Sequence, residues 1–304
     1  MINSVTITNY LGDSITLELR FPEKSGFLIQ EIAGLGPAKA NINSTDLATG
    51  DGSVYNSARL NSRNIVLTLQ LLEFPTVETM RQKSYKYFPV KKPLRLLFET
   101  ENRICEIIGY VESNEPNIFS NMETTQISII CPNPYFYSAG PDGTMVTIFS
   151  DIVPEFKFPF SNESLTVNLL EMGTIISNQT KTVYYTGDSE IGIIITMHAL
   201  GVATNVSIYN SEAHELMVID TTRLATLTGS GIIAGDDIII STIKGQKSIT
   251  LLRDGVYTNI LNCLARDTDW FQLVKGDNVF AFTADTGSTN LQIRIINQMV
   301  YEGV

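Results

Sequence analysis

Apolar and polar residues alternate along much of the chain with a period of two, the pattern of a strand with one face inside and the other in water. Val5–Thr8, Ile15–Leu19, Ile65–Leu71, Leu94–Phe98, Ile104–Ile108 and Thr125–Ile130 alternate or run apolar at strand length. Each is bounded by Gly, Asn, Pro or Asp, the residues that punctuate strands. The pattern returns past residue 140 in Val183–Tyr185, Ile191–Met197, Asn205–Tyr209, Glu215–Ile219, Ile238–Ser241, Ser248–Leu252, Asn278–Thr283 and Asn290–Ile296. Between them lie Gly187-Asp188, Gly235-Asp236, Asp254-Gly255 and Gly276-Asp277, residues that tolerate positive φ or form Asx turns. That spacing predicts a β-sandwich. No long helix is predicted in this half, and Asp267–Phe271 reads as a turn or short 3-10 segment.

One segment breaks the alternation. From Thr76 to Phe88 the spacing puts Val77, Met80, Ser84, Tyr85 and Phe88 near one helical face. Thr76 suits the N-cap, Glu78 the first turn, and Arg81, Lys83 and Lys86 the later turns. Pro89 stops the helix. Residues 26–62 show neither period and are rich in Gly, Asn, Ser, Ala and Asp. A loop this long in a compact domain is usually functional or disordered. It reads either as a projecting arm that orders against a neighbour or as a mobile surface loop.

Cys131–Thr144 carries three prolines and two glycines, and a new β pattern begins at Met145. The expected division is therefore a first domain over 1–137, a linker over 138–144 and a second domain over 145–304. The charge divides there too. Residues 1–140 carry a balance of −2 and residues 141–304 one of −9, within a total of −11. An acidic chain repels phosphate backbones, so sequence-specific nucleic-acid binding is not expected. With 43% hydrophobic and 17% charged residues, the chain is too apolar for disorder. No signal peptide or membrane span is read, and Cys105, Cys131 and Cys263 make no disulfide framework.

The residues that could carry chemistry have bland readings beside the functional ones. His198 ends an apolar run and His214 lies in a hairpin-like turn, with no metal-ligand spacing around either. Cys105 and Cys131 read as small core residues. Gly229-Ser230-Gly231 is a turn rather than a nucleophile elbow. Gly34-Leu35-Gly36 lacks the third glycine of a dinucleotide fingerprint. Asp236/Asp237, Asp267/Asp269 and Asp188/Glu190 are the local acid pairs, read as solvated turns before a carboxylate dyad or a calcium site. Tyr135-Phe136-Tyr137 and Phe156–Phe160 flank the boundary and read as inter-domain packing, and Trp270, with Phe271 and Leu273, as core. No catalytic, cofactor-binding or metal-binding residue is assigned, and the chain is expected not to be an enzyme.

The first half resembles the N-terminal domain of siphophage distal tail (Dit) proteins over about residues 1–137. The likeness is carried by Gly26–Ile32 leading into Gly34-Leu35-Gly36, then Asp51-Gly52-Ser53 and Asn56, and Arg63–Leu67. It continues through Met80–Tyr85, Gly109-Tyr110-Val111-Glu112, Gln126–Ile129 and Cys131–Phe136. No single piece is specific; their order and spacing are.

The resemblance implies a mainly β chain with two β-sandwich domains. The first would be a ring-forming belt domain with one helix and a long loop or arm, the second a peripheral galectin-like or jelly-roll-like sandwich. It implies a structural component of the tail tip or baseplate of a phage, a prophage or a tail-like particle, assembled in the host cytoplasm. Its hexameric ring would join the tail tube protein to the tail-tip hub and anchor peripheral or receptor-binding proteins. DNA would pass the channel unread, with no cofactor and no membrane insertion. A ring needs two different patches per subunit, expected in the loop 33–62 and an exposed β edge of the first domain. The alternative is a carbohydrate- or receptor-binding adhesin subunit of the tail.

Overall fold

A computed structural model describes residues 1–73, 75–141, 143–153, 174–177 and 179–304. The chain forms two compact units, Met1–Gly143 with Val300–Val304, and Thr144–Met299. The sequence reading gave residues 300–304 to the second domain. In the structure they belong to the first unit, because Val300–Tyr301 pairs there as a strand.

In chain order the first unit contains β1 (Ile2–Asn9), β2 (Ser14–Glu18), β3 (Phe27–Ala33), β4 (Ala40–Asp46), β5 (Ser53–Leu60) and β6 (Arg63–Leu71). Helix α1 (Val77–Tyr87) follows, then β7 (Pro93–Thr100), β8 (Ile104–Pro116), β9 (Thr124–Cys131) and β10 (Phe136–Ser138). Antiparallel pairing runs β2-β1-β7-β8-β9-β6-β3, with β10 on β8. Alternate residues of these strands point inward and bury one core, from Val5, Ile7 and Leu17 through Leu96 and Phe98 to Ile65, Leu67, Ile127 and Ile129. One face of a continuous sheet thus encloses a single core, which is why the period of two in the sequence was so legible.

Helix α1 lies where the 3.6 period places it. The Thr76 hydroxyl accepts from the Thr79 N–H at 3.2 Å, a side-chain N-cap. Met80 and Ser84 are buried, with Phe88 just beyond, whereas Tyr85 faces out.

The second unit is also mainly β. Its strands are β11 (Thr144–Ile148), β12 (Ser150–Val153), β13 (Thr174–Ser177), β14 (Thr180–Tyr185), β15 (Ile191–Gly192), β16 (Ile194–Ala199), β17 (Thr204–Asn210) and β18 (Glu215–Ile219). After helix α2 (Thr221–Thr228) come β19 (Asp237–Ser241), β20 (Ser248–Arg253), β21 (Val256–Asn259), β22 (Gln272–Leu273), β23 (Gly276–Thr286) and β24 (Leu291–Gln298). The strand returning to the first unit is β25 (Val300–Tyr301). A six-stranded sheet, β11-β24-β16-β19-β20-β21, and a four-stranded one, β14-β23-β17-β18, each bury one face. Phe271 and Phe280 meet edge to face in the core, their centroids 5.5 Å apart.

Helix α2 corrects the sequence reading. Its Asp220 carboxylate caps the Thr222 and Arg223 N–H groups, and Gly229 closes it in the left-handed region. Gly229-Ser230-Gly231 is therefore the end of a helix. Of the turn or 3-10 segment expected over 267–271, a turn forms at Arg266-Asp267, while the nearby 3-10 helix lies earlier, at Leu261–Cys263.

Candidate assembly surface

The segment expected as a loop is a β-hairpin. Among the described residues, strands β4 and β5 pair only with each other, from Ala40↔Leu60 to Asp46↔Ser53. The Leu47 N–H donates to the Gly52 carbonyl at 3.2 Å and closes the turn. A bulge between Asn43 and Ser44 leaves Asn56 unpaired in the ladder, and its amide donates to the Thr45 hydroxyl at 2.7 Å.

Every residue from Lys39 to Arg59 is exposed. Ile42 is 64% exposed and Tyr55 63%, with Val54 and Leu47 also open. By register, Ile42 shares a face with Ala58 and Ser44 with Tyr55, so that face carries an apolar stripe. Asn41, Asn43, Ser57 and Arg59 belong to the polar face. An isolated two-stranded hairpin is marginal in water. Its ladder of hydrogen bonds holds this one together, and among the described residues its apolar stripe is left exposed.

The base of the arm is fixed. Gly34 leaves β3 with φ +86, and a Cβ there would lie 2.1 Å from the Asn64 carbonyl oxygen, so no other residue fits. Arg63, only 4% exposed, donates from Nη1 to the Gly34 carbonyl at 2.6 Å and to that of Gly36. Its guanidinium lies 4.5 Å from the centroid of the Phe136 ring. Burial pushes the Arg63 pKa down. A second exposed apolar feature is the β8–β9 connection, where Phe119 is 99% exposed beside Ile118 and Met122.

The residues weighed as chemical candidates take structural places. Asp236 is 1% exposed and held by Arg253, whose Nε and Nη2 reach its two oxygens at 2.7 and 2.6 Å. Asp237 meets His198 Nδ1 at 2.7 Å. This pair is not a solvated turn: a buried fork and a cross-strand contact hold its members separately.

Asp267 and Asp269 are both exposed, and Asp269 Oδ2 accepts from the Leu216 N–H at 3.2 Å. Glu215, which sequence reasoning passed over, has its carboxyl pushed up by burial and by Asp269 and Glu190. Only the fold brings these acids near one another. His214 sits in a turn with φ 55.

Burial raises the Cys105 and Cys131 thiols to about 11 and pushes Cys263 up as well. Phe136 lies in the first unit's core, edge to face with Phe98 at 5.7 Å. Trp270 is half-buried under the Lys247 ammonium, while Phe271 and Leu273 are core. The cluster Phe156–Phe160 lies outside the described residues. Among the described residues no helix is long and apolar enough to cross a membrane.

No protein-family model matches the sequence, and no curated protein matches it. The likeness is structural. The chain has the fold of the SPP1 Dit protein (gp 19.1), described as a paradigm of the hub adsorption apparatus in phages infecting Gram-positive bacteria. The two superpose with a TM-score of 0.64 at 13% identity, over 97% of this chain and 98% of that one. The phage P2 baseplate in its activated conformation with Ca aligns over 98% of both chains with a TM-score of 0.44 and 9% identity, too loosely to add to the comparison.

Proposed function

We propose that the chain is a structural protein of a phage tail, or of a tail-like particle, and that six copies form a ring at the tail tip. The arm carries this reading. It is a fully exposed hairpin with an apolar stripe and a rigidly held base, and it needs a neighbour to cover it. The fold, shared end to end with a Dit protein, supports the same reading.

A ring follows from a heterologous contact repeated around a closed rotation, so each subunit offers an arm and receives one. Strands β2 and β3 end the order of the first sheet and leave backbone edges that could receive it. The ring would continue the tail tube and seat the tail-tip hub. It would pass DNA through a channel whose acidic or neutral wall suits a chain of charge −11.

In this role the chain works by binding and not by catalysis, and its place is the tail tip of a virion assembled in the host cytoplasm. The second unit would anchor peripheral or receptor-binding proteins.

One observation favours a second reading, an adhesin subunit. Asn205, Ser207, Asp220 and Asp285 line an open, polar hollow of about 440 Å³ on the four-stranded sheet, a lining suited to sugar hydroxyls.

Light scattering and negative-stain microscopy of the purified full-length protein test the main reading. Six-fold rings are expected. A protein that stays monomeric at high concentration, with tube or hub partner added, would overturn it.

A further inference from the structure

We infer that residues 300–304 are a latch that holds the base of the arm. Strand β25 lies on β10, with Phe136 paired to Tyr301 and Tyr137 to Val300. Past it, the Glu302 carbonyl accepts from Arg63 Nη2 at 2.7 Å, and the Val304 N–H donates to the Leu35 carbonyl at 3.2 Å. The same guanidinium holds Gly34 and Gly36 through Nη1 and reaches the Pro134 carbonyl through Nε at 2.7 Å. One buried arginine thus spends its donors on three separated stretches: the leg of the arm, the approach to β10 and the latch.

The geometry makes this a device rather than ordinary packing. From Lys39 to Arg59 the arm has no buried residue, so only the legs on either side of it set its direction. Arg63 holds the first leg on both sides of Leu35, and the latch holds Arg63 through Glu302 and Leu35 itself through Val304. If Glu302 were lost, Nη2 would lose its acceptor in a nearly closed site, and the leg would lose its bond to Val304.

Chain order adds a consequence. Residues 300–304 follow the whole second unit, so the base is completed only in a chain whose second unit has already been made. A truncated or nascent chain would carry an arm with a loose base. That consequence for assembly rests on the arm being the ring contact; the latch itself does not.

Hydrogen exchange by mass spectrometry on the full chain, and on one ending at Tyr301, tests the latch. Peptides within 33–62 should exchange on the order of tenfold faster in the shortened chain, as expected for the loss of one or two hydrogen bonds. Peptides from 65–71 and 125–131 should not change. Equal exchange over 33–62 in the two chains would overturn the latch. Should the shortened chain fail to fold, Val304→Pro removes the N–H given to Leu35 while keeping an apolar side chain against the core, and the same comparison decides. If neither chain forms rings, even with tube or hub partner added, yet the exchange difference is present, the ring reading fails and the latch stands.

Discussion

Two hairpins of the first unit make opposite use of the same backbone. Strands β8 and β9 pair from Tyr110↔Ile130 to Pro116↔Thr125 and carry a bulge between Val111 and Ser113; β4 and β5 pair from end to end and carry one between Asn43 and Ser44. The first hairpin buries Cys105, Ile107, Val111, Ile127, Ile129 and Cys131 along one face. The second buries nothing. One is held by the core behind it, and the other has only its ladder and an uncovered apolar stripe. A hairpin of the second kind is an investment in a partner.

The largest expected effect separates the two directly. Ile129→Ala should cost the protein about 2–5 kcal/mol by leaving a cavity in a closed core. Ile42→Ala should stay within about 0.5 kcal/mol in the isolated subunit. Urea denaturation measures both, and comparable losses would break the distinction.

Alkaline pH should act on the core hairpin next. Cys105 and Cys131 titrate at about 11 when folded, against about 8.5 in an unfolded chain. A raised folded pKa means that the native state holds the proton longer. Stability is therefore retained below the unfolded value and lost as pH rises from about 8.5 through 11. On the order of 3 kcal/mol per thiol is at stake. Cys105→Ala should flatten that slope in denaturation midpoints followed against pH, while substitutions in the arm should leave it unchanged.

Gly109→Ala should follow, at roughly 1–3 kcal/mol from overpacking. A Cβ there would lie 2.5 Å from Ile129 Cγ2 and 2.8 Å from Cys131 Sγ. Thermal unfolding checks this, and an unchanged midpoint would mean that the strands part easily at that point. The smallest effect on stability, and the largest on assembly, belongs to Ile42→Ser combined with Tyr55→Ser. The subunit should melt as before, while light scattering should show loss of the ring.

The same contrast explains what the sequence could reveal. Strands with a buried face announced themselves through the period of two, and α1 through its cap and spacing. The arm, ANINSTD and SVYNSARL, lacks that period because neither of its faces meets a core. It was legible as a long segment, either an arm or a mobile loop, but not as strands. Helix α2 is rich in β-branched threonine, a weak helix former. Its signals were the caps Asp220 and Gly229; Gly229 had been read as part of a turn, and Asp220 had been passed over.

Two further features had no local signature. Asp236 finds Arg253 seventeen residues away across a turn and a strand. Residues 300–304 return to the first unit after the whole second one, and a two-residue strand leaves no period to read. The site that matters most, the base of the arm, gathers Gly34, Arg63, Phe136 and Glu302 from four distant stretches. Of these, Gly34, Arg63 and Phe136 fell within the segments that carried the family resemblance, although their joint role did not show.

The most direct test replaces residues 40–60 with a short Asn-Gly turn and compares that chain with the full-length protein by negative-stain microscopy. The account predicts six-fold rings from the full-length protein and well-folded monomers from the armless one. Rings of the same size and symmetry from the armless chain would contradict it.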